Sequence, residues 1–155
     1  MARRVFFSFD YALDHWRADQ VISSHVVAAS DRAGFFSPLE HEEAHVMGAE
    51  AIRQMLVRHL ANTTVTVVLI GTQTAARPLV KHAIEESIKR KNGLLGIRIH
   101  HLKDQAGRTS FQGRTPTVPT GIEFPVYSWD GDLDRFGKEL EAAERRADVL
   151  RKSKG

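Results

Sequence analysis

A chain of 155 residues is long enough for one sizeable buried core and too short for two ordinary ones, so a single domain spanning 1–155 is expected. With 42% hydrophobic and 26% charged residues, its composition is that of a globular chain and excludes the low-hydrophobicity regime of disorder. There is no cysteine, which excludes a disulfide framework, a thiolate metal site and a cysteine nucleophile; the net charge of +3 is scattered, and small groups such as Lys89-Arg90-Lys91 and Arg145-Arg146 read as solvated helix faces, not a nucleic-acid surface.

The stretch Met1 to Tyr11 starts basic but carries too short an apolar run for a signal peptide, and no stretch reaches the length of a membrane span. A cytoplasmic protein without membrane contact is therefore expected. Val5-Phe6-Phe7-Ser8-Phe9 reads as a buried strand. From Trp16 to Ala29, Val21, Ile22, His25, Val26 and Ala29 recur at helical spacing, and Asp31 to Gly34 reads as a turn. Glu43 to Leu60 repeats the helical pattern until Asn62-Thr63 interrupts it.

Val65 to Ile70 is β-branched and almost continuously apolar, as a central strand covered on both faces requires. Gly71-Thr-Gln-Thr74 is the turn out of it. Pro78, which lacks an N–H, is tolerated in a helix's first turn, and Asn92-Gly93 stops that helix, which is predicted over about 78–91. Leu94 to Ile99 is a further strand, Pro125 to Trp129 the last, and Leu133 to Leu150 a charged amphipathic helix. Alternation of strand and helix predicts an α/β domain with a mostly parallel sheet. Lys103 to Phe124, with three glycines and two prolines, is a long loop leaving a parallel strand's carboxyl end, where open α/β sheets place ligands.

Within the helix that follows Pro78, residues Val80, Ala83, Ile84, Ser87 and Ile88 form the stripe facing the sheet. Glu85 and Glu86 fall on the other side, in reach of Lys81, Lys89 and Arg90, and read as solvated. His41-Glu42-Glu43-Ala44-His45 spells the H-E-x-x-H pattern that can place two imidazoles on zinc with the glutamate as base. The three-histidine version needs a ligand at position 51, where Ala51 stands, so a zinc hydrolase using His41 and His45 is the third-ranked reading and no metal is assigned. His100-His101 is a loose metal suggestion better explained by pairing with backbone or water. Neither a G-x-S-x-G elbow nor a glycine-rich phosphate loop is present.

Four blocks in order carry a resemblance: R-V-F-F-S-F-D-Y from Arg4 with Asp14 and Arg17; V-T-V-V-L-I-G-T-Q-T from Val65; K-R-K-N-G-L-L-G-I-R-I-H from Lys89; and K-D-Q-A-G-R-T-S-F-Q-G-R-T-P from Lys103. Together they resemble the TIR-like (ThsB-type) proteins of the bacterial Thoeris anti-phage system, over nearly the whole chain. That resemblance implies a flavodoxin-like TIR fold that takes NAD as substrate, with no separate cofactor. It also implies cleavage of the nicotinamide–ribose bond and a cyclic ADP-ribose-type signal that activates a partner effector after a phage component triggers it.

The loop after the first strand, with Phe7, Ser8, Phe9, Asp10 and Tyr11, resembles the family's nucleotide-binding cleft wall. The family pattern at the helix start is an aromatic residue followed four positions later by the catalytic glutamate; here those positions are Leu79, on the nucleotide side, and Ala83. Three readings of that departure stand: a substitution made to inactivate the chain, a natural non-catalytic relative, or Glu85 or Glu86 taking over after a shift of helix phase. The first is preferred, because neighbouring blocks are intact. The rival class is a non-enzymatic adaptor or sensor acting by self-assembly as a homo-oligomer.

Overall fold

The computed structural model describes residues 4–23, 32–34, 46 and 48–152. Strand β1, Arg4–Ser8, leads directly into helix α1, Tyr11–Ile22. Strand β2, Arg32–Gly34, is followed by α2, Ala49–Leu60, and by β3, Val65–Ile70. A 3₁₀ turn at Thr74–Ala76 precedes α3, Pro78–Lys89, and then come β4, Gly93–Arg98, β5, Val126–Ser128, and α4, Leu133–Lys152. The five strands form one sheet in the order β2-β1-β3-β4-β5, and every pairing is parallel. This is the doubly wound order in which the chain reverses direction between β1 and β3.

Each parallel pair needs a crossover, and those crossovers cover both faces of the sheet, so β3 is buried along its whole length, as its unbroken apolar run predicts. On one face, Val5, Phe7, Val67 and Leu69 pack with Ala18 and Val21 of α1 and with Phe136, Leu140 and Ala143 of α4. On the other, Phe6 packs with Ile52, Met55, Leu56 and Leu60 of α2 and with Ala83 of α3, while Val68, Ile70 and Leu94 pack with Val80 and Ile84. Alternation along β1 thus sends Phe6 and Phe7 into different cores.

Several expectations are corrected. The first helix begins at Tyr11, not Trp16: Asp10, in extended backbone, is its N-cap position, and Asp14 lies in the first turn, where a carboxylate suits the helix dipole. Residues 24–29 lie outside the described residues. Arg32–Gly34, expected as part of a turn, is an edge strand paired in register with Arg4, Val5 and Phe6. Backbone pairing to a single neighbour holds three residues that carry no apolar pattern of their own. The second helix, expected from Glu43, starts at Ala49: Val46 lies in a turn and Gly48, in extended backbone, is the N-cap position, while Glu43 to His45 lie outside the described residues, as does the whole H-E-x-x-H stretch.

Glu86 is also corrected. It is 7% exposed, not solvated, because α3 is covered by α2 as well as by the sheet, which widens its buried arc beyond the predicted stripe; there its charge acts on Arg53. Glu85 is exposed, as expected, but faces His82 at 3.7 Å in place of Lys81 or Lys89. Among the described residues, no helix is long and apolar enough to cross a membrane.

Candidate functional site at the strand switch point

Parallel sheets of this order present a crevice outside the carboxyl ends of the strands where the order reverses. Here that is the end of β1, Ser8 to Asp10, beside the end of β3, Gly71 to Thr74. The turn after β3 is fixed locally: the Gly71 N–H donates to Thr74 Oγ1 at 2.7 Å, and the Ala76 and Arg77 amides donate to Gln73 and Thr74 carbonyls. Arg77 is thereby held at the start of α3, where its Nε lies 2.9 Å from Asp10 Oδ2. That pair lacks the alignment of a hydrogen bond on either atom, so it is a charge contact, with the arginine side chain 38% exposed and the carboxylate 3%.

Asp14 and Arg17, at i and i+3 on the buried face of α1, form the second charged pair. Arg17 Nη1 donates to Asp14 Oδ1 at 2.9 Å, and both side chains are almost entirely buried. The second oxygen, Asp14 Oδ2, is buried without a hydrogen bond and packs against Gly71, where an added Cβ would come within 2.0 Å of it. Burial pushes the Asp14 carboxyl above its ordinary range, with the Arg17 bond opposing and the charge of Asp10 adding to the rise.

The long loop covers this edge. Arg17 Nε donates to Leu102 O at 2.7 Å and Nη2 to Arg108 O at 2.8 Å, while Thr72 Oγ1 donates to Phe111 O at 2.5 Å. Gly113 passes so near the Thr72 carbonyl that a Cβ there would lie 2.2 Å from it, which is why the loop needs glycine at that point. Asp104 shapes the turn by accepting from the Ala106 and Arg108 amides, each at 2.9 Å, and those backbone bonds, Arg108's foremost, hold its carboxyl below the usual range. Beneath the loop, Asp14, Arg17, Thr72, Asp104 and Ser110 line a cavity of about 240 Å³. That is below the roughly 300–1,000 Å³ of ordinary ligand pockets.

The residues singled out from the sequence divide into two groups. Ser8, Phe9 and Asp10 lie at the crevice but are buried, with 3%, 5% and 4% exposure, and Tyr11 is half-buried, its ring stacked on His15 at 4.7 Å between centroids. Phe7 is a core residue, packed with Val67 and Leu69, and supports the crevice from beneath. Ala83 points inward, as helical spacing predicts, and is fully buried; its described surroundings are apolar, with Phe6, Met55, Leu56 and the half-buried Leu79 in the same cluster. Among the described residues, no group of three histidines or carboxylates is placed to hold a metal. His101 Nε2 is instead 2.6 Å from Trp129 O. Arg77 carries no local signal of a role in the sequence; for Asp14 and Arg17 the available signal is two charges at i and i+3 amid the apolar stripe of Ala18 and Val21.

Comparison with known proteins agrees with this architecture. The family model described as "Thoeris protein ThsB, TIR-like domain" matches residues 6–104. A protein of Bacillus cereus (strain MSX-D12) named "Putative cyclic ADP-D-ribose synthase ThsB1" is 34% identical over 150 residues, covering 90% of this chain and 78% of the relative.

Proposed function

The chain belongs to the Thoeris ThsB TIR-like family, and from that membership we propose that it is an NAD-processing scaffold that holds NAD or an ADP-ribose-like nucleotide at the β1/β3 switch point. In the active form of such a site, the bond between ribose C1′ and nicotinamide breaks. An adenine nitrogen or a ribose hydroxyl oxygen of the same molecule then bonds to the vacated C1′, any proton it carried passing to solvent, giving a cyclic ADP-ribose-type signal for a partner effector once a phage trigger arrives. Nicotinamide leaves as a neutral ring and needs no general acid. What the reaction needs is a carboxylate that orients the ribose hydroxyls and stabilises the developing oxocarbenium charge.

The observation that carries the reading is the methyl group at Ala83. A helical side chain leans toward the N-terminus of its helix, so a glutamate at this position would reach past Leu79 toward the carboxyl edge of the sheet, on the face that Ser8 shares with Phe6. Alanine supplies no such group, and among the described residues Asp10 is committed to Arg77, Asp14 to Arg17 and Glu86 toward Arg53, while Glu85 is exposed. The chain as it stands is therefore a nucleotide-binding form with cleavage disabled.

The test is nicotinamide release from NAD by the chain as it stands, by A83E and by A83Q, each verified folded by circular dichroism. Release by A83E alone is expected. A folded A83E that releases no nicotinamide would count heavily against the reading. The same methyl favours a second reading, a non-enzymatic adaptor working by self-assembly. That reading predicts assembly on triggering, seen by size determination, and no NAD consumption even by A83E.

A further inference from the structure

The opposite end of the sheet carries a second cavity, independent of the nucleotide reading. Helix α4 has two faces. Phe136, Leu140, Ala143 and Ala147 point into the core, whereas Ala142, Arg145, Arg146, Val149 and Leu150 recur at i, i+3, i+4, i+7 and i+8 and form one wall of a cavity of about 550 Å³. The facing walls come from Ile88 at the end of α3, from Lys91 to Leu94 at the start of β4, and from Gly121 to Glu123 in the long loop. The volume lies within the range of small-molecule sites, roughly 300–1,000 Å³.

Its chemistry is consistent around the wall. Ile88, Leu94, Ile122, Ala142, Val149 and Leu150 supply aliphatic surface, and Val149 stays 64% exposed and Leu150 42% exposed. Among the described lining residues, Lys91, Arg145 and Arg146 supply three cations against one carboxylate, Glu123, while Glu139 acts on Arg146 from outside the lining. The two basic groups, separate in sequence, converge here.

The walls are also held without a ligand. Gly93 packs so closely on α4 that a Cβ would lie 2.0 Å from Ala143 O, and Arg146 Nη2 donates to Leu94 O at 2.7 Å. Asn92 is fixed by Arg151 Nη2 at 2.7 Å and by its own bonds to Thr63 and Thr66.

We infer that this cavity is a binding site for a small amphipathic anion, an aliphatic body ending in a carboxylate. The body covers the aliphatic wall and the head meets Lys91 and Arg145, whereas a cationic or uncharged amphiphile leaves the excess positive charge unanswered. Arg146 is already engaged with Leu94 and holds the wall. The flexible lysine and the Arg145 guanidinium suit a single anionic head more than an extended polyanion, because the wall between them is aliphatic and, among the described residues, carries no ring on which a base could stack.

The experiment is calorimetric titration of the full chain with decanoate, decylamine and decanol below their micellar concentrations. It is repeated on K91Q/R145Q, which removes the two outer cations, and on A142W, which fills the groove from a half-buried position. Decanoate is expected to bind saturably at one site per chain, at least tenfold tighter than decylamine. K91Q/R145Q should weaken it roughly fivefold to tenfold, as two partly exposed ion pairs would, and A142W should abolish binding while circular dichroism shows an intact fold. No saturable decanoate binding, equal binding of decylamine, or binding unchanged in both variants would overturn the inference. So would a chain that dimerises and is made monomeric by A142W, since the groove would then belong to a second copy.

Discussion

Replacing Arg17 with methionine keeps most of the side chain's apolar length and deletes its guanidinium. The deleted group donates to Leu102 O at 2.7 Å, Arg108 O at 2.8 Å, Leu13 O at 3.2 Å and Asp14 Oδ1 at 2.9 Å. What remains is a carboxylate 1% exposed, with one oxygen already lacking a hydrogen bond and only the more distant charge of Arg77 to answer it. Breaking a buried ion pair from one side destabilises by about 3–5 kcal/mol. In a chain of this length each kcal/mol moves the melting midpoint by roughly 2–4 °C, so a fall of roughly 6–20 °C is expected. Two freed carbonyls also release the 102–108 segment, so its amides should exchange faster with solvent. Urea and thermal unfolding of R17M, D14L and R17M/D14L measure the coupling. The double variant, which removes both members of the pair, should recover at least half of the loss. An R17M loss below about 1 kcal/mol, typical of an exposed pair, or a double variant equal to the sum of the singles, would refute the reasoning.

The remaining predictions concern the same edge and the core behind it. Burial raises the Asp14 carboxyl above 3.8, so the folded chain holds that proton more tightly than the unfolded chain. Its contribution is greatest below the unfolded value and is lost as pH rises through the folded one, so D14N should gain on the parent in urea midpoint as pH rises from about 4; a constant difference contradicts this. Asp104 has the opposite sign, because its carboxyl is held below 3.8. What it contributes is present above the unfolded value and lost as acid protonates it, so D104N should abolish any acid-induced rise in proteolysis of the 104–108 turn. G71A forces a Cβ to within 2.0 Å of Asp14 Oδ2 and should destabilise by about 1–3 kcal/mol, with G71A/D14A partly recovering in thermal melts. F136A removes a fully buried ring packed edge-on to Trp129 at 5.2 Å and should lose about 3–5 kcal/mol in denaturant titration.

The sheet was largely legible because β3 and β4 are buried on both faces and must be apolar almost throughout, and Pro78 and Asn92-Gly93 punctuate α3. Strand β2 was not, since an edge strand of Arg32, Ala33 and Gly34 is held by pairing with β1 and carries no periodic signal. The onset of α1 was misplaced because its first turn inverts the usual pattern, exposing Ala12 and Leu13 and burying the charged Asp14, so it adds nothing to an apolar stripe. Glu86 was misread for a related reason: helical spacing gives the stripe that meets the sheet but says nothing of α2 packed on the flank. The inward direction of Ala83 was readable from spacing alone. The pairing of Asp10 with Arg77, and the anchoring of the loop by Arg17, join residues 67 to 91 positions apart, and no local pattern encodes them.

The proposed activity requires a nucleotide site at the β1/β3 crevice. The direct measurement is titration of ADP-ribose into the isotope-labelled chain, followed by amide chemical shifts. Saturable shifts are predicted at Ser8 to Tyr11 and Gly71 to Thr74, with Gly93 and Leu94 at the far end of the sheet unmoved. Shifts confined to that far end, or none at all, would contradict it.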